Sequence, residues 1–177
     1  MVFRGLEGKQ IRLRAMEPAD LELLYRWEND SENWVLGNTL TPYSLFTLDE
    51  FIRTASYDLT ATRQLRMIIV SRKEAVPAGA VDLFDIDFVH RRAGVGILID
   101  KAFRKQGLAY ECISIVSEYA FGMLNLNQLY CHITDNNKSS KMLFEKSGFV
   151  LSGCLKNWVI HSGKNHDVFV YQKLNIL

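Results

Sequence analysis

The sequence predicts an α/β (α+β) domain, a sheet covered by helices, and three observations predict it. Short β-patterned stretches recur along the chain, four helical stretches lie between them, and neither an internal repeat nor a low-complexity tract breaks the order. A length of 177 residues suits one domain spanning 1–177, with enough chain to bury a sizeable core.

Residues 10–15 alternate apolar and basic side chains, as a half-buried first strand does. Glu17-Pro18-Ala19-Asp20 opens a helix carrying Leu21, Leu24, Tyr25 and Trp27, with Pro18 tolerated in its first turn. Residues 29–44 contain Trp34, Gly37 and Pro42 and read as a long irregular loop, a frequent place for ligand binding. Thr47-Leu48-Asp49-Glu50 resembles a capping box and starts a second helix. Residues 65–71 are apolar after Arg66, 73–77 form a turn, and 78–87 and 93–100 are two further strands joined through His90-Arg91-Arg92. Gly94 and Gly96 are unusual inside a strand and point to a bulge or to close approach by another molecule. Residues 108–124 make an amphipathic helix, with Leu108, Cys112, Ile115, Val116 and Tyr119 on one stripe and Glu111, Ser114 and Glu118 opposite. A strand at 129–134 and a helix at 137–146 ended by Gly148 follow. Strands at 154–161 and 167–174, joined through Ser162-Gly163-Lys164-Asn165, complete the order.

Composition sets aside several classes of function. Lys and Arg total 21 against 20 acidic residues, so there is no basic field to recruit nucleic acid. No run approaches the roughly 18 apolar residues of a membrane span, and MVFRGLEGKQ lacks the apolar core of a signal peptide, so the expected location is cytoplasmic. Cys112, Cys131 and Cys154 fit neither a zinc spacing nor a disulfide framework; no metal is expected, and the three read as buried free thiols.

Arg104-Lys105-Gln106-Gly107-Leu108-Ala109 follows a strand and opens the amphipathic helix. A helix N-terminus there offers unsatisfied N–H groups and partial positive charge to phosphate oxygens. Gly107 lets the main chain approach such a ligand, Ala109 is too small to obstruct it, and Arg104 and Lys105 add cationic charge. Alone, this pattern fits an ordinary turn before a helix equally well. About thirty residues later comes Asn137-Lys138-Ser139-Ser140-Lys141-Met142-Leu143-Phe144-Glu145-Lys146-Ser147-Gly148-Phe149.

Together the two stretches resemble the coenzyme elements of the GNAT acetyltransferases, Arg/Gln-x-x-Gly-x-Gly/Ala and Asn-x-x-Ala/Ser-x-x-(apolar)-Tyr-x-Lys-x-Gly-Phe. Ile11-Arg12-Leu13-Arg14 with Asp20-Leu21 resembles that family's first strand and helix, and the final hairpin its closing pair, so nearly the whole chain is covered. Within the superfamily the chain resembles the spermidine acetyltransferases and the ribosomal-protein alanine acetyltransferases. Val89-His90-Arg91-Arg92-Ala93, Leu124-Asn125-Leu126 and Leu129-Tyr130 are similar to the polyamine enzymes, although Arg91 and Arg92 themselves read as a solvated turn.

The resemblance implies the GNAT fold: a mixed, mostly antiparallel central sheet of about seven strands, with about four helices and two splayed parallel strands in its middle. It implies acetyl-CoA as co-substrate, held by the main chain of Ile97, Leu98 and Ile99, by Arg104, Lys105, Gln106, Gly107, Leu108 and Ala109, and by Asn137, Ser140, Phe144 and Lys146. It implies acetyl transfer to a primary amine, a polyamine such as spermidine or, alternatively, a protein N-terminus or lysine, and it makes a homo-oligomer an expectation. Phe144 stands where many relatives place a tyrosine acid and cannot donate a proton. That residue favours a third reading, a coenzyme A-binding module without catalysis.

An alkylammonium acceptor, with a pKa of about 10.4, must lose a proton before attack. Asp82 is a candidate base through water; Asp82, Asp85 and Asp87 lie on or just after one strand, with 82 and 85 differing in parity. Glu28, Asp30, Glu32 and Trp34, with Asp82, are candidates to line a pocket for a cationic amine. Each carboxylate also reads as an unpartnered surface group, and the polyamine enzymes carry further acids where Thr39 and Leu40 stand here.

Overall fold

Seven strands hydrogen-bond into one sheet: β1 (Ile11–Ala15), β2 (Leu65–Ser71), β3 (Pro77–Asp87), β4 (Arg92–Ile99), β5 (Gln128–Thr134), β6 (Val150–His161) and β7 (Lys164–Leu174). Their spatial order is β1-β2-β3-β4-β5-β7-β6, and every neighbouring pair is antiparallel except β4 with β5. The computed structural model describes residues 3–37, 39–55 and 58–175. Six helices are present among the described residues: α1 (Leu21–Glu28), α2 (Ser31–Gly37), α3 (Leu45–Thr54), α4 (Leu59–Thr62), α5 (Leu108–Gly122) and α6 (Lys138–Lys146).

The apolar run of β2 follows from its position. Met67 and Ile69 face one core cluster with Cys112, Val116 and Phe121 of α5, while Ile68 and Val70 face another with Leu24 and Trp27 of α1 and Leu48 and Ile52 of α3. Both faces of the strand are covered, so alternation is lost and apolar residues fill successive positions. In α5 the expected stripe is buried, with Leu108, Cys112 and Val116 against the sheet. Among the described residues no helix is long and apolar enough to cross a membrane.

Several boundaries differ from expectation, each for a local reason. The stretch 29–44 is not irregular throughout: the Asp30 carboxylate accepts the Glu32 N–H at 3.1 Å and its carbonyl takes the N–H of Asn33, which starts α2. Asn38, within that stretch, lies outside the described residues. Helix α3 begins two residues before Thr47, because Ser44 is its cap and accepts the Thr47 N–H at 3.0 Å. The four-residue α4, capped by Asp58, is too short to leave a periodic signature. The last hairpin turns on Ser162 and Gly163 alone, since Lys164 and Asn165 already pair with His161 and Ile160. Cys112 and Cys131 are buried free thiols as expected, but Cys154 is exposed, because β6 is an edge strand with one uncovered side.

Candidate active site

β4 and β5 pair through three rungs only, Arg92–Gln128, Ala93–Leu129 and Gly94–Tyr130. Both strands continue, β4 paired with β3 as far as Ile99 and β5 paired with β7 as far as Thr134, so the sheet opens between them into a V. The Asp100 N–H donates to the Ala78 carbonyl at 2.9 Å, and the Leu98 carbonyl crowds Gly79, so both face β3. Strand alternation then turns the N–H and C=O of Ile97 and Ile99 into the V, and keeps those of Leu98 out of it. An extended chain bearing amide groups can satisfy such unpaired main chain as an added strand.

At the foot of the V, the ring of Phe84 occupies the space a side chain at 94 would need. A Cβ there would lie 2.3 Å from the ring, which is why glycine stands at that position. The close approach foreseen for this strand is thus made by the chain's own Phe84. The bulge lies on β3 between Phe84 and Asp87, with Asp85 at φ +48°. Phe84 packs edge-on to Tyr130 at 6.2 Å, bracing the last rung. Arg91, at φ +53°, donates to the Asn125 carbonyl at 2.7 Å and its side-chain oxygen at 2.6 Å. Two sequence stretches that looked like family signatures are therefore one clasp, tying the start of β4 to the turn before β5.

At the open end of the V, Asp100 caps a 3₁₀ turn at Lys101–Phe103 and accepts the Trp27 indole N–H at 2.8 Å. Burial pushes its carboxyl up, but the Trp27 and Ala102 N–H groups and nearby arginines outweigh this and hold it below its usual range. The chain then turns through Lys105 at φ +62° and Gly107 at φ +86°, and Gly107 is the N-cap of α5. The first N–H groups of α5 have no partner within the helix and point out of its end beside Arg104 and Lys105. A Cβ added at Gly107 would meet nothing beyond its chain neighbours nearer than the Gln10 amide at 3.7 Å, so the surface there is open. Leu108 is buried and Ala109 half-buried, anchoring the turn, while the Gln106 amide donates to the Ala102 carbonyl at 3.1 Å. Arg104 Nε donates to the Ile99 carbonyl at 3.1 Å, joining the loop to the V.

Helix α6 closes the other side. The Asn137 side chain caps it, accepting from the Ser140 N–H at 3.1 Å. Phe144 is buried edge-on against Phe149 at 5.0 Å, and Lys146 lies 4.9 Å over the ring of Tyr110 in the first turn of α5. A cradle of positive-φ residues, a free helix N-terminus, three cations and the edge of β4 that β5 leaves, where Arg104 takes the Ile99 carbonyl, fit a phosphate-bearing chain with amide groups, as coenzyme A is.

The carboxylate candidates fall into two groups, none of them unpartnered. Asp82 accepts from Arg66 Nε at 2.7 Å, and Glu28 pairs with the same guanidinium. Burial disfavours the charged Arg66 guanidinium, yet the two carboxylates outweigh this and hold its pKa above the ordinary arginine value. Asp30 and Glu32 bind Lys101 Nζ at 2.8 and 3.2 Å, and Glu32 lies 3.8 Å from Arg104. Lys101 holds the Asp30 carboxyl below its usual range. The Trp34 indole donates to the Glu28 carbonyl at 2.6 Å, fixing α2 against α1. A cavity of about 500 Å³ between α1 and the end of β4 is lined by Trp27, Asp30, Lys101 and Arg104. Asp82 is not part of that lining, and Asp85 and Asp87 lie around a separate cavity with Tyr130 and His132. Sequence reasoning missed Arg66, although a lone arginine in an apolar strand was its signal. It also missed Tyr130 and His132, which alternate with buried Leu129, Cys131 and Ile133. Among the described residues no group of three His, Cys, Asp or Glu is assembled to hold a metal.

A family model described as an acetyltransferase (GNAT) domain matches residues 10–150. The spermidine N(1)-acetyltransferase of Vibrio cholerae is 28% identical over 161 residues, covering 91% of each chain. That of Escherichia coli K12 is 28% identical over 158 residues, covering 87% of this chain and 80% of the relative. The crystal structure of the Vibrio cholerae enzyme in complex with CoA and spermine superposes with a TM-score of 0.83, at 27% identity, over 94% of this chain and 96% of that one. The V between β4 and β5, the cradle at its mouth and a family match spanning both make one conclusion: the chain belongs to the GNAT acetyltransferase family.

Proposed function

We propose that the chain transfers the acetyl group of acetyl-CoA to a primary amine of the polyamine type, such as spermidine. The carrying observation is the V between β4 and β5, continuous at its mouth with the positive-φ turn and helix N-terminus. The likeness to enzymes named for spermidine supports the choice of acceptor.

Bound acetyl-CoA supplies the thioester; the chain supplies position and electrostatics. The N–H groups at Gly107, Leu108 and Ala109, with Arg104 and Lys105, meet phosphate charge, and Lys146 adds a further cation beside α5. Ile97 and Ile99 offer main-chain N–H groups along the V. One such donor, aimed at the carbonyl oxygen that gains charge during attack, is worth about 3–4 kcal/mol. Asn137 and Ser140 fix the start of α6, which follows directly on the β5 arm of the V. Phe144 supplies bulk but no proton, so the thiolate draws its proton from the amine or from solvent.

For a polycation, the exposed pairs matter more than the half-buried one. Lys101 and Arg104 are exposed partners of Asp30 and Glu32, and solvent screening lets an ammonium take their place. Arg66 is half-buried, its side chain 16% exposed, and with two carboxylates on it stays with Glu28 and Asp82. Four carboxylates against Arg66, Lys101 and Arg104 leave one surplus negative charge, and this small surplus favours the second reading, a singly charged protein N-terminus or lysine. Thioester consumption with spermidine, spermine and an N-terminal alanine peptide separates the two. Turnover of spermidine is expected; turnover of the peptide alone would replace the polyamine by a protein acceptor.

A further inference from the structure

Helices α1 and α3 cover β2 and part of β3 and leave the foot of the V uncovered on their side of the sheet. A cavity of about 540 Å³ lies there, lined by Asp85, Asp87, Arg92, Tyr130, His132 and Gln172 among others. Tyr130 forms the last rung with Gly94 before the strands part, and His132 is the next residue on the same face of β5. The two rings lie 5.6 Å apart. His132 is exposed to the cavity, and neither ring nitrogen has a hydrogen-bond partner among the described residues.

The reaction needs a group to take the acceptor's proton, and the residues considered above do not provide one. Asp82 and Glu28 are committed to Arg66, and the Phe144 ring has no basic atom to accept a proton. A carboxylate is also a poor match for an ammonium of pKa about 10.4, whereas an imidazole is closer. Resting on the acyl-transfer reading above, we propose that His132 accepts the proton the acceptor ammonium must lose, with the Tyr130 ring fixing the imidazole at the foot of the V. The neutral imidazole takes one proton; the freed nitrogen lone pair forms the C–N bond to the thioester carbonyl carbon. The C–S bond breaks and its electron pair leaves on sulfur. A second amine proton neutralises the thiolate, and the imidazolium returns its proton to solvent through the open cavity.

The charge His132 faces comes from the elements around the cavity. β3 brings Asp85 and Asp87, β4 brings Arg92, β5 brings Tyr130, and Arg63 comes from the link before β2. β7 brings Val170 and Gln172, neither of which titrates. Two carboxylates against two guanidiniums leave no net charge in this lining.

The test is kcat/KM against pH for wild type, His132→Gln and His132→Ala, on whichever acceptor of the panel turns over. Expected are a fall of about 100-fold in both variants, loss of the imidazole limb, and partial rescue of His132→Ala by added imidazole. A variant keeping the wild-type rate and profile overturns the proposal. So does a lower rate with the limb intact, because a merely structural loss leaves the profile in place. Should wild type acetylate neither polyamine nor peptide, the acyl-transfer reading fails on its own. The His132 ring resonance in NMR then decides separately: a shift on adding coenzyme A upholds its place at the foot of the V, and none overturns it.

Discussion

Gly107 concentrates the coenzyme argument into one residue. Its φ of +86° belongs to the left-handed region, where a Cβ costs about 1–2 kcal/mol and a β-branched side chain more. The conformation matters beyond the turn, because it points successive N–H groups of the α5 start toward one place. Gly107→Val should therefore weaken acetyl-CoA binding at least tenfold by calorimetry while lowering Tm by only a few degrees, at about 2–4 °C per kcal/mol for this chain length. Unchanged affinity would remove the cradle from the account. Gly107 was legible in the sequence because a helix start and its preceding glycine are local. The partner of Glu28 and Asp82 was not, since Arg66 lies 38 residues from one and 16 from the other, and meets Asp82 through sheet register and Glu28 through the packing of α1 over β2.

Between β1 and α1 the chain is held by a single buried carboxylate. Asp20 accepts from Arg14 at 2.7 and 2.8 Å and from the Glu17 N–H at 2.9 Å, closing a capping box that the sequence pointed to only as a helix start at Pro18. Burial pushes this carboxyl up, but the Arg14 guanidinium and the Glu17 N–H outweigh it and hold it below its usual range. A depressed folded-state pKa adds stability above the unfolded value of about 3.9, and that stability drains away as pH falls through the folded value. Asp20→Asn should cost about 1.5–3 kcal/mol at pH 7 and at pH 5, with the gap to wild type narrowing below about pH 4. A constant gap down to pH 2 in denaturant titrations would contradict this. Long elements such as β2 and α5 were legible because their burial pattern is written over many residues. Helices α2 and α4 were not, since each rests on one aspartate cap and less than two turns of chain.

The sheet divides the molecule into two cores, and the cysteines report on the one beneath α5. Cys112 of α5 and Cys131 of β5 are both buried in it, and burial pushes both thiols up, Cys131 to about 12. Thiolate is the reactive form, so both are doubly protected, by inaccessibility and by protonation. Cys154 sits on the uncovered edge strand β6, with its sulfur 3.9 Å from Asp167. A disulfide reagent at pH 8 should therefore label one thiol rapidly in the folded protein and three in denaturant. Cys131 borders the V, where β5 leaves β4, while Cys112 lies deeper, on the helix. If the V opens locally to admit coenzyme A, Cys131 should react before Cys112, and saturating coenzyme A should slow Cys131 by closing that route. If instead the core opens only as a whole, the two buried thiols should react at one common rate, with coenzyme A slowing both equally. Mass-resolved labelling distinguishes these outcomes, and rapid reaction of all three thiols in the folded protein would contradict the placement of Cys112 and Cys131 in the core.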